Sequence, residues 1–296
     1  MSTLASQPAE SRIRNKALNA RRSRIVKHAL LILFGWVMVY PLVWLFFSSF
    51  KTNADLFGSL SLLPKEFVWD SYVKGWAGTG QYTYGTFFIN TFLLVVPTVL
   101  FTVVSSVLVA YGFARFKFPL SNLMFALMIS TLMLPNTVVV IPRYLIFRNL
   151  DWLDTYWPFI VPAAFGCFPF FIFMLVQFFR GLPRELDESA VMDGCSPPTI
   201  LFRILLPLCK PALISAALFQ FIWTWNDFFN QLIFINSVKK FPLSLALRMS
   251  IDSTGGTVEW NQIMAMSVLA IVPPVLIFFF SQKYFVEGIA TTGIKG

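Results

Sequence analysis

Acidic side chains are scarce in this sequence, 14 Asp and Glu in 296 residues, and two short stretches gather polar groups where chemistry could be done. The first is residues 180–210, R-G-L-P-R-E-L-D-E-S-A-V-M-D-G-C-S-P-P-T-I-L-F-R-I-L-L-P-L-C-K. Pro183 suits a first helical position, where its missing N–H costs nothing. Glu185, Asp187 and Glu188 follow in the first turns, where the positive end of the helix dipole favours carboxylates. Gly194 supplies a left-handed cap. Ser196 and Pro197 then form an N-cap and first-turn pair that opens a second, apolar helix meeting Pro207. A short helix–turn–helix with one acidic face is suited to being gripped by another protein. The second stretch is Trp223-Thr224-Trp225-Asn226-Asp227-Phe228-Phe229-Asn230-Gln231. At helical spacing Trp223, Asn226 and Asn230 share a face, with Asp227 beside it. Hydrogen-bonding groups beside aromatic planes would suit a hydrated path for a polar solute. The structural alternative is that Asp227 and Asn226 cap a helix or bond a neighbouring one. Asn90 and Asn136 are candidates of the same kind.

The motifs that are missing narrow the function. The chain has no G-x-x-x-x-G-K-[ST], G-x-G-x-x-G, H-E-x-x-H or G-x-S-x-G, so a phosphate-cradling loop, a metalloprotease or an esterase has no apparatus. No catalytic or metal-binding residue is expected. The one histidine, His28, marks the edge of an apolar run. Cys167, Cys195 and Cys209 have no metal spacing and imply neither a zinc site nor a disulfide. A secondary carrier would need carboxylates or histidines at mid-membrane depth, and Asp227 alone is a poor substitute.

Glu188-Ser189-Ala190, three residues, Gly194, nine residues and Ile204-Leu205-Leu206-Pro207 resemble the docking signature of permeases in ATP-binding-cassette importers, written E-A-A, three, G, nine, I-x-L-P. The surrounding L-D-E-S-A-V-M-D-G and the ending K-Y-F-V-E-G resemble the sugar-uptake, maltose-type branch. Ser189 stands where the motif has alanine; a small residue is kept. The resemblance covers the chain from about residue 29 onward. It implies a type I importer permease that pairs with a second homologous permease, a cytoplasmic ATPase in two copies and an external sugar-binding protein. It implies that Glu188, Ser189, Ala190, Asp193, Gly194, Ile204, Leu206 and Pro207 dock the ATPase. ATP and magnesium would be bound by that partner, and this chain would hold no cofactor.

The elements that must position these residues follow from composition. The chain is 57% hydrophobic and 12% charged, against about 25% charged in soluble domains, so it belongs in lipid. Apolar runs near the ~20 residues a spanning helix needs fall at 29–50, 86–113, 123–142, 157–179, 212–235 and 263–281. The expected fold is therefore all-α, six spans, with both termini on one side. Of 23 Lys and Arg, 15 lie on the side of the termini and 8 on the other, which puts 180–210 in the cytoplasm. The net charge of +9 reflects this topology rather than nucleic-acid binding.

Residues 1–28, with Arg12, Arg14, Lys16, Arg21, Arg22, Arg24 and Lys27 against one acid, Glu10, read as a basic cytoplasmic arm able to meet anionic lipid or as a plain topology signal. The run after it is too long for a cleaved signal peptide. Residues 29–285 form the permease domain and 286–296 a cytoplasmic tail; the segment from Lys283 onward could add a second ATPase contact. In the outer loop 51–85, Trp69, Tyr72, Trp76, Tyr82 and Tyr84 form an interfacial belt or a stacking surface for sugar or binding protein. Ser253 to Thr257 reads as a flexible tip. Pro97, Pro135, Pro162, Pro169, Pro273 and Pro274 mark kinks or breaks.

The reading is a multi-pass subunit of a bacterial inner-membrane importer for a sugar or oligosaccharide. The eight outer basic residues leave room for an acidic one, such as a uronide. The alternatives are an importer of another solute, a channel or carrier without an ATPase, and a non-transporting scaffold using the same docking loop.

Overall fold

The computed structural model describes residues 7–78, 81–252 and 258–292, and all regular structure among them is helical. The Ser253–Thr257 tip and residues 293–296 of the tail lie outside the described residues, as do the side chains of Arg12, Arg14 and Lys16. Helix α1 (Gln7–Ser48) continues through the basic arm without a break. Two short helices, α2 (Asn53–Gly58) and α3 (Asp70–Ala77), lead to α4 (Tyr84–Arg115). The chain continues through α5 (Ser121–Thr131), α6 (Asn136–Asn149), α7 (Trp157–Ala164) and α8 (Pro169–Gly181). Next come α9 (Glu185–Met192), α10 (Pro197–Thr199), a π-helical turn (Ile200–Leu205) and α11 (Leu206–Leu208). Helices α12 (Lys210–Trp225), α13 (Phe228–Phe234), α14 (Leu243–Asp252) and α15 (Trp260–Thr292) complete the chain.

Among the described residues four helices are long and apolar enough to cross a membrane: Arg21–Ser48, Tyr84–Arg115, Trp157–Gly181 and Trp260–Tyr284. Counting each bent pair as one span gives up to six. The expected third span is split, because α5 and α6 meet at 102°. Pro135 disfavours helical geometry at Leu134, and the hydroxyls of Ser130 and Thr131 turn back onto Leu127 O and Met128 O at 2.7 and 2.6 Å. The expected fifth span, 212–235, breaks at Asn226, between α12 and α13. Just ahead of it the chain bends by 80° between Pro197–Leu208 and Lys210–Trp225, where Pro207 and Pro211 each withhold a backbone donor.

Helix α4 is the axis of the bundle, packing most extensively on α8, α7 and α12. Its Tyr84 end contributes Phe87, Leu94 and Val95 to one hydrophobic core with Trp225, Phe234 and Met266. Its Arg115 end contributes Val107, Ala110 and Ala114 to a second, with Leu175, Phe179, Ile200 and Leu205. Between them the buried positions are small and polar: Thr98, Thr102, Ser105 and Ser106. Small residues let helices approach closely. Ser105 Oγ donates to Ala163 O of α7 at 2.6 Å.

The aromatic loop residues mostly pack. Tyr72 lies against Phe50 (5.3 Å) and its hydroxyl bonds Ser49 Oγ at 2.8 Å. Trp76 stacks on Phe88, and Tyr84 Oη bonds Ser250 Oγ at 2.9 Å. Trp69 remains 67% exposed.

The loop after α6 is latched to the loop after α13 by Asp154, a left-handed residue (φ 56°). Its carboxylate accepts from Asn236 N (3.0 Å), Ser237 N (2.8 Å), Ser237 Oγ (2.6 Å) and Lys240 Nζ (3.2 Å). Burial pushes this carboxyl up, but the hydrogen bonds from Ser237, Asn236 and Lys240 outweigh it and bring the pKa down to about 2. A carboxyl depressed on folding stabilises fully above its ordinary pKa, here 3.8, and that contribution is lost as pH falls through about 2. The difference in thermal midpoint between wild type and Asp154→Ala is therefore expected to be largest above pH 4 and to shrink on acidification over that window. Melting curves in detergent across the window check it.

Candidate functional site

Two sites emerge, one at each half of α4. At the Arg115 end, α9 carries Glu185, Asp187 and Glu188 in its first turn, one turn after the end of α8. The helix begins at Glu185 with Arg184 as its cap, so Pro183 stands just outside rather than at the first helical position. Its far end closes as a Schellman motif: Gly194 N donates to Val191 O and Cys195 N to Ala190 O, both at 2.9 Å. Gly194 has φ +78°, a conformation that a side chain would strain. Glu188, Ser189, Asp193, Gly194 and Pro207 are exposed, Ile204 and Leu206 half-buried. Ala190 is buried against the second core, which explains a small side chain there. The departure at Ser189 falls on an open position and disturbs nothing.

Three contacts from the foot of α4 hold this motif. Arg115 donates to Leu182 O at 3.3 and 3.4 Å, and its Nη2 lies 3.1 Å from Asp187 Oδ2. The guanidinium N–H groups point at Leu182, and Asp187 Oδ2 has no directed hydrogen bond, so the Arg115–Asp187 contact is Coulombic. Both side chains are largely enclosed, 7% and 20% exposed. Tyr111 Oη donates to Pro197 O at 3.1 Å. The starts of both helices of the helix–turn–helix are thus tied to one rod. A groove of about 600 Å³ runs beside α9, with Arg184, Glu188 and Met192 on its rim.

Past Pro197 the chain widens into the π-helical turn, whose Ile200, Leu201 and Leu205 are buried. It then swings through the 80° elbow at Cys209, which is wholly buried.

At mid-height lies a cavity of about 490 Å³. Trp223, Asn226, Asp227 and Asn230 all line it, although the helical face on which they were expected does not exist as one helix. Helix α12 ends at Trp225, and Asp227 starts α13 as its N-cap, accepting from Asn230 N at 3.1 Å. Asn226 Nδ2 turns back to Ile222 O at 2.8 Å. Capping and cavity lining are therefore compatible roles for the same side chains. Asn230 Nδ2 donates to both Asp227 oxygens at 2.9 Å, and Asn230 Oδ1 accepts from Arg143 Nη2 at 3.0 Å. Arg143 also reaches Asn136 Oδ1 at 2.5 Å. One amide thus bridges a carboxylate and a guanidinium. Phe147, Phe159, Phe168 and Phe234 complete much of the wall.

Asn90 and Asn136 sit apart from the cavity lining. Asn90 Nδ2 donates to Lys239 O (2.8 Å) and Phe241 O (3.0 Å), pinning the loop before α14. Asn136 is exposed and touches the cavity only through Arg143. Sequence reasoning missed Arg115, Tyr111, Arg143 and Gln220. Arg115 and Arg143 were visible only as charges counted for topology, and Gln220 as one polar residue in an apolar run. Among the described residues no three His, Cys, Asp or Glu side chains converge as a metal would require.

Residues 103–291 match the family described as binding-protein-dependent transport system inner membrane component. The chain is 32% identical over 267 residues to the probable ABC transporter permease protein YurM of Bacillus subtilis (strain 168), covering 90% of this chain and 87% of that one. It is 32% identical over 276 residues to the arabinooligosaccharides transport system permease protein AraQ of the same organism, covering 92% and 96%. Its fold matches a chain in the crystal structure of a bacterial ABC transporter involved in the import of the acidic polysaccharide alginate. That match has a TM-score of 0.79 at 24% identity and covers 90% of this chain and 98% of that one.

Removing one partner of an enclosed ion pair strands the other, at a cost of about 3–5 kcal/mol. Arg115→Ala and Asp187→Ala are each expected to destabilise by several kcal/mol at the upper end, less where water reaches Asp187. The double replacement Arg115→Met with Asp187→Leu is expected to recover much of the loss. Thermal unfolding of the four purified forms measures it.

Proposed function

The chain belongs to the family of binding-protein-dependent transport system inner membrane components, and from that membership we propose that it is the permease subunit of an ATP-driven importer of a sugar or oligosaccharide. The observation that carries this reading is the pinned α9 helix. Its acidic first turn and exposed Glu188, Val191 and Met192 are held out on a pinned mount, and among the described residues no ion pair is made by Glu188.

In this proposal a cytoplasmic ATPase, in two copies, grips α9. Glu188 offers a charge-assisted hydrogen bond to a basic residue there, with Ser189, Ala190 and Asp193 shaping the contact. Gly194 makes the turn, and Ile204, Leu206 and Pro207 carry displacement into the elbow and α12. ATP and magnesium belong to the ATPase, and this chain does no chemistry on them. A second homologous permease forms the other wall of the path, and an external binding protein delivers the solute. Residues 1–28 form the basic arm against anionic lipid, 29–285 the permease, 180–210 its docking loop and 286–296 the tail, in a bacterial inner membrane. Trp223, Asn226, Asp227 and Asn230 are the substrate-path residues. Asn136 supports them through Arg143, and Asn90 supports them by fixing the loop above.

Carbohydrate as the solute is favoured by aromatic walls beside fixed amides in the 490 Å³ cavity, a size usual for a small-ligand site, and by relatives such as the arabinooligosaccharide permease. The runner-up without an ATPase, a channel or secondary carrier, leaves α9 unused.

Vesicles reconstituted with the permease pair, ATPase and binding protein test the proposal. ATP-dependent entry of labelled sugar is expected. Glu188→Lys and Gly194→Pro are each expected to lower it by about tenfold or more at unchanged membrane levels. Full uptake by both variants would overturn the docking assignment, and uptake independent of ATP would overturn the importer.

A further inference from the structure

Gln220, in the wall of the 490 Å³ cavity, is only 3% exposed. One end of its amide bonds Thr224 Oγ1 at 2.9 Å. The other end, Oε1, is enclosed and has no hydrogen-bond partner among the described residues. Arg143, in the same wall, is in a similar position. Its Nη2 serves Asn136 and Asn230, but its Nε is enclosed and unpartnered. A buried polar atom without a partner costs about 1–3 kcal/mol, and both atoms belong to side chains that line one cavity, where a change of rotamer would turn them toward a ligand that satisfies both.

The chemistry of that ligand can be narrowed. The Thr224 hydroxyl both donates and accepts, so the Gln220 amide keeps that bond in either of its two orientations. Its unpartnered end is then an acceptor in one orientation and a donor in the other. A hydroxyl, which also donates and accepts, fits both; a carboxylate fits only one. Arg143 offers donors to an oxygen. Its charge is balanced within the same wall by Asp227, whose two oxygens are already held by Asn230. An anionic ligand would meet that carboxylate and gain little net attraction. Neutral hydroxyls lying over aromatic faces meet no such penalty.

The geometry points to Gln220 and Arg143 as ligand-contacting residues that read the hydroxyl groups of an uncharged sugar passing through this cavity. This inference rests on the transport reading above and makes it specific: neutral rather than acidic carbohydrate.

Cys167 supplies the readout, since it is exposed and lines the same cavity. The protein is purified with its accompanying subunits into lipid nanodiscs and alkylated with N-ethylmaleimide. The labelling rate of the Cys167 peptide is followed by mass spectrometry. The probes are maltotriose, trigalacturonate and a polyethylene glycol of equal mass. Maltotriose is expected to slow labelling by about fivefold or more, and the glycol not at all. Gln220→Leu is expected to abolish the protection without changing the unprotected rate. Gln220→Glu, which still accepts from a hydroxyl, keeps part of it, and Arg143→Met weakens it severalfold. Protection that survives Gln220→Leu would mean the amide serves only water, and would overturn the inference. Protection by trigalacturonate alone, or by no probe, would overturn it as well. ATP-driven uptake measured on the same complex separates the two levels: uptake intact with an insensitive Gln220 removes this assignment and leaves the importer standing.

Discussion

A helix that breaks inside a membrane frees backbone groups that lipid cannot satisfy, and this constraint governs where the chain bends. Each break carries its own repair. At the end of α7, Ser105 donates to Ala163 O. Where α12 stops, Asn226 returns to Ile222 O and Gln231 Nε2 reaches Thr224 O at 3.0 Å. Asp227 then accepts from Asn230 N, one of the free donors in the first turn of α13. Polar side chains gather at the cavity where helices end, and they bond backbone groups that those ends leave free.

Against these broken segments α4 is continuous. It meets the helix–turn–helix of α9 and α10 through Arg115 and Tyr111 and the start of α14 through Asn90 and Thr91, whose Oγ1 accepts from Leu243 N at 2.8 Å. The elbow at Cys209 offers a second route from α10 into α12. Helix α9 is thus connected to the cavity from two sides, through a straight rod and through a bent one.

What was legible in the sequence was set by locality. Gly194 imposes its backbone geometry alone, and so the turn could be read from a single residue; Pro207 marked a helix boundary but not the 80° elbow beside it. Apolar runs gave the helices for the same reason. Pro135 marked the third span for a kink or break, but a run of the right length and composition says nothing of its 102° angle, and the stop inside the fifth span had no such marker. Trp223, Asn226, Asp227 and Asn230 were rightly grouped but for an incomplete reason, since the helix that was to align them ends midway. Arg115 and Asp187 are far apart in sequence, and nothing local pairs them. Arg143 entered a charge tally that counts cations without seeing their depth.

Helix α1 is in the opposite situation to the core. None of its most apolar window is buried within the chain, and among the described residues its one extended neighbour is α15, at the other end of the sequence. During synthesis it therefore enters lipid long before that neighbour exists. At roughly 5–20 residues per second, the wait is on the order of ten seconds or more. A segment that must survive that interval alone cannot lean on packing. Its unbroken apolar surface and cationic flank are what a self-sufficient first insertion demands, and they set the order in which the bundle can be assembled.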